Sequence, residues 1–477
     1  MTAYRPAPRL AQSGLDLFDV VAAADFPQAV LRYRNDRAAG TVGLDTLSDG
    51  DWVRHFGRFD ALPDNQPAPL ALRYHGHQFR IYNPDLGDGR GFLFAQMRDD
   101  RDRLLDLGTK GSGTTPWSRG GDGRLTLKGG VREGLATAML EALGVPTSKS
   151  LSLIETGEAL MRGDEPSPTR SSVLVRLSHS HIRFGTFQRL LFKDDAGTMA
   201  ALIAFLVATY FPDAGDAAGV FDAAVASSAR LAARWMAAGF VHGVLNTDNM
   251  NITGESFDYG PYRFLPAYDP AFTAAYFDHA GLYAYGRQPG AVHWNLSVLA
   301  QCLTLVCPSE PLIASLNTYG ERYRTELHRA ICARLNLVSQ GEADEALVAA
   351  LFGFLATLDF DGSFEGVFYD WFGGALSEDR ALSGPRAAHY QGAAFAAFRE
   401  ALEGYSCADP ARLKHPRFAE PDPETLLIGE IETLWADIAH GDDWSAFHAK
   451  LEAIETWRQA LGLTESEPGN GRLFNHG

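Results

Sequence analysis

The segment FVHGVLNTDNMNITGESFDYGP, residues 240–261, constrains this chain more than any other part of its sequence. It places His242 seven residues before Asn249, and Asp258 opens the triplet Asp-Tyr-Gly further along. A carboxylate and an amide oxygen are ligands that suit a hard divalent cation. The segment therefore predicts a metal-binding pair formed by Asn249 and Asp258.

The same spacing is found in protein kinases, where His-Arg-Asp precedes a metal-binding Asn and Asp-Phe-Gly follows. One central residue differs in this chain. Two residues after His242, where a kinase has its catalytic Asp, the sequence has Val244. A chain that keeps the metal ligands and lacks this base is expected to bind a nucleotide and to perform different chemistry with it.

Length and charge exclude several classes of protein. At 477 residues the chain is too long for one small hydrophobic core, so we expect two lobes with extensions. A net charge of −17 argues against a broad nucleic-acid-binding surface. The longest apolar run, residues 199–211, is too short to span a bilayer comfortably and predicts a buried helix, so no membrane partner is expected.

The cysteines and the first residues indicate a reducing setting. The start of the chain has no apolar signal core, and four cysteines in 477 residues predict neither a disulfide framework nor a zinc site. Cys302 and Cys307 lie in one apolar run and are expected to be buried in a helix. We therefore expect a cytoplasmic protein. We also expect it to act as a monomer.

The chain divides into four parts. We predict an N-terminal extension over residues 1–75, a β-rich nucleotide-binding lobe over 76–185, a helical lobe over 186–420 and a helical tail over 421–477. Short apolar strands alternate with Gly-rich turns in the second part, whereas helical periodicity dominates the third. The expected fold class is α+β, with a single key helix in the smaller lobe.

The β-rich part contains a Gly-rich turn, two strand patterns and one helix. LGDGRG at 86–91 precedes a strand pattern, and a second strand pattern ends near Lys110. Glycines let backbone amides approach phosphates, although an ordinary hairpin turn has the same composition. Residues 125–146 have apolar side chains at helical spacing, and Gly144 with Pro146 ends the predicted helix.

Lys110 and Glu133 have the order of the strand lysine and helix glutamate that pair in protein kinases. Glu133 lies off the apolar stripe of its helix, so a solvated surface position is the ordinary alternative. The full order is Gly-rich turn, strand, strand lysine, helix glutamate, and a helical lobe with the Asn and the Asp-x-Gly. That order predicts a bilobal protein-kinase-like fold.

Two further features do not belong to the ordinary kinase pattern. GDGR occurs at 87–90 and again at 121–124, within a Gly-rich insertion between the lysine and the glutamate. Asp122 and Gly123 are therefore candidates for nucleotide contact.

The second feature is a pair of arginines in residues 171–187, a segment that predicts a strand. Arg176 points away from the apolar face of this strand, and Arg183 follows seven residues later. Arginine forks suit phosphate oxygens, and a salt bridge to a surface acid is the alternative for each. His179 and His181 have the spacing of a metal pair, but we assign them a structural role.

Several segments together are similar to the selenoprotein O family, also called YdiU. They include YHGHQFRIYNPDLGDGRG, DLGTKGSGTTPWSRGGDGR, SVLVRLSHSHIRFGTFQ, VHGVLNTDNMNI and FDYGPY, and the resemblance runs from roughly residue 70 to 310. Members have a protein-kinase-like fold, bind ATP in a flipped orientation and transfer AMP rather than phosphate. The resemblance implies a protein adenylyltransferase that uses ATP with Mg²⁺ or Mn²⁺ and modifies Ser, Thr or Tyr hydroxyls of protein substrates.

The resemblance also implies a role for each matching position. The residues expected to contact the nucleotide are Gly87, Gly89, Arg90, Lys110, Asp122, Gly123, Arg176, Arg183 and Asp258. Lys110 is expected to pair with Glu133, and Asp248 to accept the proton of the attacking hydroxyl. Asn249 and Asp258 are expected to bind the divalent metal.

The chemistry of these residue types agrees with that assignment. Attack on the α-phosphorus makes pyrophosphate the leaving group, and its charge requires cations such as Lys110, Arg176, Arg183 and the metal. With Val244 at the usual base position, Asp248 is the nearest carboxylate in the loop that could orient or deprotonate a hydroxyl.

Other functions remain open from the sequence alone. The chain could be a kinase that moves the γ-phosphate through Asp248, a non-catalytic nucleotide-binding pseudokinase scaffold, or a small-molecule kinase. Val244 and the added GDGR and arginines argue against the first, and retention of both metal ligands argues against the second.

The C-terminus departs from the family pattern. Many relatives carry a cysteine or selenocysteine close to the C-terminus, whereas the last cysteine here is Cys407. Control by a C-terminal thiol is therefore not expected.

Overall fold

The computed structural model describes residues 2–359 and 363–463 and has an α+β architecture, as expected. Strands dominate the described residues up to Ser178, and helices dominate those that follow. The strands are β1 (Phe18–Val20), β2 (Val30–Arg34), β3 (Leu70–Leu72), β4 (Gly76–Gln78), β5 (Ile81–Asn83), β6 (Leu93–Arg98), β7 (Leu104–Lys110), β8 (Leu125–Thr126), β9 (Lys149–Leu160), β10 (Thr169–Ser178), β11 (Phe240–Val241) and β12 (Arg263–Phe264).

The helices of the described residues include one long helix that follows the first strands and a larger group after the sheet. They are α1 (Asp36–Thr41), α2 (Asp49–Phe56), α3 (Leu127–Ala142), α4 (Phe184–Phe192), α5 (Ala196–Thr209), α6 (Ala217–Ala237), α7 (Gln288–Leu303), α8 (Ser309–Asn317), α9 (Tyr319–Arg334), α10 (Asp344–Leu355), α11 (Phe364–Asp370), α12 (Glu378–Ser383), α13 (Gly392–Glu403), α14 (Ile428–Gly441) and α15 (Ser445–Leu461).

Eight strands form one sheet in the order β1-β3-β6-β7-β10-β9-β2, with β8 paired to β10. Each of the seven residues of β7 is buried, which is expected for a strand in the middle of a covered sheet. The antiparallel register of β7 and β10 places Gly108 opposite Arg176 and Lys110 opposite Leu174. Side chains alternate between the two faces of a strand, so this register decides which residues face the same side.

Helix α3 packs against the sheet and carries Glu133. It begins after Thr126, whose side chain accepts a hydrogen bond from the N–H of Gly129, and this cap is typical of a helix start. Gly144 follows the helix in the left-handed region, with φ +75°, which ends it. Both the apolar stripe and Glu133 are buried, because strands cover one side of the helix and α15 packs on another.

The helical part is organised around α6, which is buried along most of its length. Helices α7, α8 and α9 pack against it. Next to this core, the short β11–β12 pair brackets the segment that contains His242, Asn249 and Asp258. Thr247–Asn249 form a 3-10 turn within this segment.

The segments that precede and follow these two groups of elements also contact the sheet. Strand β1 pairs with β3, and β2 pairs with β9 at the opposite edge. At the other end of the chain, Asp442 accepts hydrogen bonds from Arg32 and Arg170 of the sheet. Helix α15 therefore lies against the sheet side of the molecule. Residues 464–477 of the predicted tail lie outside the described residues.

Three predicted elements differ from the structure. The helix predicted over 125–146 is shorter, because Thr126 caps it and the two residues at 125–126 pair with β10 instead. The strand predicted over 171–187 ends at Ser178, and Arg183 is the N-cap residue that precedes helix α4. Cys307 lies beyond the end of α7 and is partly exposed, so only Cys302 is buried in that helix.

In the described part of the chain, no helix has both the length and the apolar character needed to cross a membrane.

Candidate active site

A cavity of about 680 Å³ lies between the sheet and the 240–261 segment. This volume is within the range of small-molecule binding sites. The predicted site residues in its walls are Gly87, Gly89, Arg90, Lys110, Asp122, Gly123, Arg176, Arg183, Asp248, Asn249 and Asp258. Glu133 does not line the cavity and lies behind Lys110.

Lys110, at the end of β7, contacts two carboxylates. Its Nζ donates to Oε1 of Glu133 on α3 and lies 2.9 Å from Oδ1 of Asp258. The lysine and the glutamate side chains are 4% and 2% exposed, so the pair is shielded from water. A buried ion pair of this kind fixes the position of the ammonium group, so the group is already oriented before a phosphate enters the cavity.

Two arginines, one on β10 and one immediately before helix α4, approach the same aspartate. Nη1 of Arg183 lies 3.1 Å from Oδ2 of Asp258, and Nη1 of Arg176 lies 3.5 Å from Oδ1. The Arg183 guanidinium is also placed 4.7 Å from the rings of Tyr74 and Phe257, and it donates to the backbone carbonyl of Asp248. Three cations therefore converge on one carboxylate.

This convergence controls the ionisation of Asp258. Burial opposes its charged form, but Lys110, Arg183 and Arg176 together hold its pKa well below the usual range of a carboxyl. The residue also adopts φ +65°, in the left-handed region that is unusual for an Asp. The carboxylate is thus kept ionised and held in a fixed orientation toward the cavity.

Asn249 lies on the 3-10 turn next to Asp248. Its Nδ2 donates to the carbonyl of Val244 at 3.0 Å, which leaves Oδ1 to face elsewhere. An amide oxygen fixed in this way, together with the ionised carboxylate of Asp258, is a suitable pair of ligands for a hard divalent cation. Among the described residues no cluster of three or more His, Cys, Asp or Glu is arranged to hold a metal. A cation bound here would complete its ligands with phosphate oxygens and water.

Asp248 has a carboxylate that the surrounding protein does not satisfy. The residue is 7% exposed, and no described residue donates a hydrogen bond to Oδ1. Burial raises the pKa of Asp248 to about 6, although Arg183 opposes the shift. A buried acceptor without a donor is costly in free energy, so this atom is positioned for a ligand or substrate donor.

His242 connects the two loops. Its backbone N–H donates to Gln288, and its Nε2 lies 3.1 Å from the carbonyl oxygen of Phe257, to which it donates as Nε2–H. Burial lowers the pKa of His242, which favours the neutral ring. The histidine, which precedes Asp248 in the chain, therefore contacts the residue directly before Asp258. This hydrogen bond helps to fix the two carboxylates relative to each other.

The Gly-rich turn packs against the second loop through its glycines. A Cβ at Gly87 would lie 2.3 Å from Cγ of Trp117, and one at Gly89 would lie 2.7 Å from the Trp117 carbonyl oxygen. The hydroxyls of Thr115 and Ser118 donate to carbonyls of the same turn. Because these two glycines have no side chain, the Gly-rich turn can lie across the loop that contains Trp117. The sequence alone did not predict this packing role for the glycines.

The second GDGR copy lies at the rim of the cavity. Asp122 accepts two hydrogen bonds from Arg162, at 2.8 and 3.1 Å, and Gly123 has φ +69° with no space for a Cβ. Burial favours a higher pKa for Asp122, but the hydrogen bonds from Arg162 outweigh this effect and the pKa is lowered.

Sequence reasoning missed several residues of the cavity. Trp117, Arg119 and Arg162 line it, and Arg119 has φ +50° in a loop without regular structure. Asp88, between two predicted glycines, accepts from Arg183 at 3.4 Å and from the N–H of Leu72. The repeated Gly-Asp-Gly-Arg was the one available signal for Asp88, and no periodic pattern pointed to the other three.

Lysine and arginine side chains around a carboxylate–amide pair define the class of this protein. It is an enzyme of the kind that transfers a phosphorus-containing group, because such reactions depend on positioning and on neutralising phosphate charge.

Comparison with known proteins makes the assignment specific. The sequence model of the family described as "Protein adenylyltransferase SelO" matches residues 2–455, and the chain belongs to that family. It is 46% identical over 459 residues to the protein nucleotidyltransferase YdiU of Gloeobacter violaceus, with 93% of each chain covered. The corresponding protein of a Synechocystis species is 44% identical over 477 residues, covering 95% of this chain and 98% of the other. The resemblance inferred from motifs is confirmed, and it extends well beyond residues 70–310.

Proposed function

We propose that this chain transfers AMP from ATP to hydroxyl groups of proteins. The family description and the names of the relatives support nucleotidyl transfer. In this reaction the acceptor oxygen forms a bond to the α-phosphorus, and the bond between that phosphorus and the bridging oxygen of pyrophosphate breaks. The acceptor proton passes to a base, and pyrophosphate leaves with the electron pair.

We further propose that the fold is bilobal and protein-kinase-like. The smaller lobe would comprise residues 76–185, to which the segment 1–75 adds β1, β2 and β3, and the larger lobe would comprise 186–420. The tail from 421 would pack back on the smaller lobe, since α15 contacts α3. The support for this proposal is the contact between the last residue of β7 and Glu133 of α3, which matches the strand lysine and helix glutamate of that fold.

The observation that carries the proposed function is the convergence of Lys110, Arg176 and Arg183 on Asp258. Three preorganised cations in a partly closed cavity stabilise the charge that develops on a pyrophosphate leaving group. Nε of Arg183 is buried and has no hydrogen-bond partner among the described residues, so it has an N–H to offer to a phosphate oxygen.

In this proposal the divalent cation, Mg²⁺ or Mn²⁺, is held by Asn249 and Asp258. When bound, it would neutralise phosphate charge and align the α-phosphorus. Three neighbouring cations stabilise the negative charge of Asp258, and Glu133 keeps Lys110 in place. The nucleotide would contact Gly87, Gly89, Arg90, Asp122 and Gly123 in addition to the three cations.

Asp248 is the proposed proton acceptor. Its Oδ1 is buried without a donor from the described protein, and Val244 occupies the position where a kinase has its base. A carboxylate whose pKa is raised to about 6 is better matched to accept a proton near neutral pH than an ordinary Asp. The acceptors would be Ser, Thr or Tyr hydroxyls of other proteins.

We also propose that the protein acts as a monomer in a reducing compartment. All four cysteines are free thiols in the described chain, which is compatible with such a setting.

Product analysis tests the proposed chemistry. The protein is incubated with ATP, Mg²⁺ or Mn²⁺ and a mixture of bacterial proteins, and pyrophosphate and ADP are both measured. We expect pyrophosphate without ADP, and neither product from Asp258→Ala. Asp213→Ala, a change of an exposed carboxylate outside the cavity, is the control. ADP as the nucleotide product would instead indicate a kinase, and ATP binding with no product would indicate a scaffold.

A further inference from the structure

His181 lies in the wall of the cavity, and the mechanism above gives it no role. Its ring Nδ1 lies 3.1 Å from Oδ2 of Asp106, and its backbone N–H donates to the same oxygen at 2.8 Å. Asp106 is 1% exposed. A histidine held by a buried carboxylate through both its ring and its backbone cannot rotate freely.

The carboxylate of Asp106 is itself fixed. Its other oxygen accepts a hydrogen bond from Nε2 of Gln96 at 2.7 Å, and Oε1 of Gln96 accepts from the N–H of Leu10. This chain of hydrogen bonds places a proton on Nδ1 of His181, because a carboxylate oxygen can only accept. Nε2 is therefore the ring nitrogen that remains for a ligand.

The ring nitrogen Nε2 of His181 lies next to Gly108. A Cβ at this glycine would lie 2.0 Å from Nε2 of His181, and Gly108 does not adopt a positive φ. The glycine is thus required for space and not for backbone conformation. The imidazole occupies the position that a side chain at 108 would fill.

That position lies within the row of cations on the sheet. Gly108 is directly opposite Arg176 in the register of β7 and β10, so a side chain at 108 would share a face with Arg176. Lys110 is two residues further along β7 and points to the same face. Nε2 of His181 is therefore placed on the same face as Arg176 and Lys110, two of the three cations that are proposed to bind phosphate.

We infer that His181 is a further phosphate-binding residue, oriented by Asp106, and that it donates Nε2–H to an oxygen of the ATP polyphosphate. Because a phosphate oxygen accepts, this contact requires the doubly protonated ring, in which Nδ1–H donates to Asp106 and Nε2–H donates to the phosphate. The negative charge of Asp106 offsets the positive charge of such a ring. This inference rests on the proposed function, since it extends the same nucleotide site.

The test compares inorganic tripolyphosphate with adenosine, each titrated calorimetrically into the full-length protein. We expect His181→Gln to weaken tripolyphosphate binding about tenfold or more, because a charge-assisted hydrogen bond is lost, and to leave adenosine binding unchanged. His179→Gln is the matched control, since His179 lies in the same turn but outside the cavity wall. Gly108→Ala should reproduce the loss, because its methyl group displaces the ring.

Unchanged tripolyphosphate affinity in His181→Gln would overturn the inference. An equal loss of adenosine affinity would do the same, because it would show a structural role for the ring. Transfer of label from α-³²P-ATP by the wild-type protein is measured in parallel. If the wild type transfers α-label and His181→Gln binds tripolyphosphate normally, only this inference fails; if the wild type transfers none, the proposed function fails separately.

Discussion

Nζ of Lys110 lies 2.9 Å from Oδ1 of Asp258 while it also donates to Glu133. The lysine ends a strand of the sheet, and the aspartate lies on the loop that follows the 3-10 turn, so the contact joins the two walls of the cavity. It also helps to keep Asp258 ionised despite burial. The positions and charges of the proposed phosphate-binding and metal-binding groups are therefore coupled.

Replacement of Lys110 by Met should reduce both stability and transfer. The change leaves Glu133 as a buried charge without its lysine, and breaking a buried pair typically costs about 3–5 kcal/mol of unfolding free energy. Chemical denaturation measures this loss. The double variant Lys110→Met with Glu133→Leu should recover most of the stability and none of the activity. A double variant as unstable as the single one would show that the pair is not the origin of the loss.

Asp248→Asn and Asp258→Asn should differ in severity. Loss of general-base assistance typically lowers a rate about 10²–10⁴-fold, so Asp248→Asn should retain ATP binding and measurable transfer. Asp258→Asn should bring transfer below detection and abolish the metal dependence of ATP binding. Initial rates and calorimetric titration at fixed Mg²⁺ separate the two. Comparable rates for Asp258→Asn and the wild type would refute the site assignment.

Gly87→Ala should weaken ATP binding through steric conflict with Trp117. Gly87 does not have a positive φ, so the effect comes from the 2.3 Å approach of the new Cβ to the indole. The apparent KM for ATP should rise several-fold, and adding Trp117→Ala should restore part of it. Gly163→Ala, which has open space around its Cβ, is the control. No rescue by the second substitution would argue against the packing of the two loops.

The attachment of the tail should depend on pH. The hydrogen bond from Arg170 lowers the pKa of Asp442 to about 2. A carboxyl whose pKa is depressed on folding stabilises the protein above its unfolded pKa, near 4, and this stabilisation is lost as the pH falls toward 2. Asp442→Asn is suitable because Asn tolerates the left-handed backbone, φ +50°, at this position.

We therefore expect Asp442→Asn to lower the thermal unfolding midpoint at pH 7. The difference from the wild type should shrink as the pH is lowered through 4. The effect should be modest, since the aspartate side chain is 50% exposed and solvent screens the pair. A difference that stays constant between pH 7 and pH 3 would contradict the role of this carboxylate.

The cysteines should not regulate activity. Burial raises the pKa of Cys302 and of Cys332 to about 12, and burial also raises the pKa of Cys307 and Cys407. Because thiolates are the reactive form, we expect transfer rates to be the same with and without dithiothreitol and after treatment with iodoacetamide. A change of several-fold in either condition would show a redox-sensitive thiol.

The sequence indicated much of the site because its residues lie on regular elements or in a spaced motif. Lys110 ends a strand, Glu133 lies on a periodic helix, and Asn249 and Asp258 follow His242 at recognisable intervals. The loop around Trp117 offered no such pattern. Its position depends on long-range contacts, such as the hydrogen bond from Trp117 Nε1 to Asp19, which spacing along the chain cannot show.

Boundaries were less predictable than element types. The helix predicted over 125–146 begins two residues later in the structure, because Thr126 caps it and residues 125–126 pair with β10. The sequence pattern assigns His181 a structural role, and the closeness of its ring to Gly108 becomes visible only when two strands and the following turn are assembled.

The most direct test of the central claim is transfer of label from ATP to protein, comparing α-³²P with γ-³²P in the presence of Mg²⁺ or Mn²⁺. We predict that protein is labelled only from the α position and that Asp258→Ala abolishes the label. Labelling from the γ position, or α-labelling that survives in Asp258→Ala, would contradict the proposed adenylyl transfer at this site.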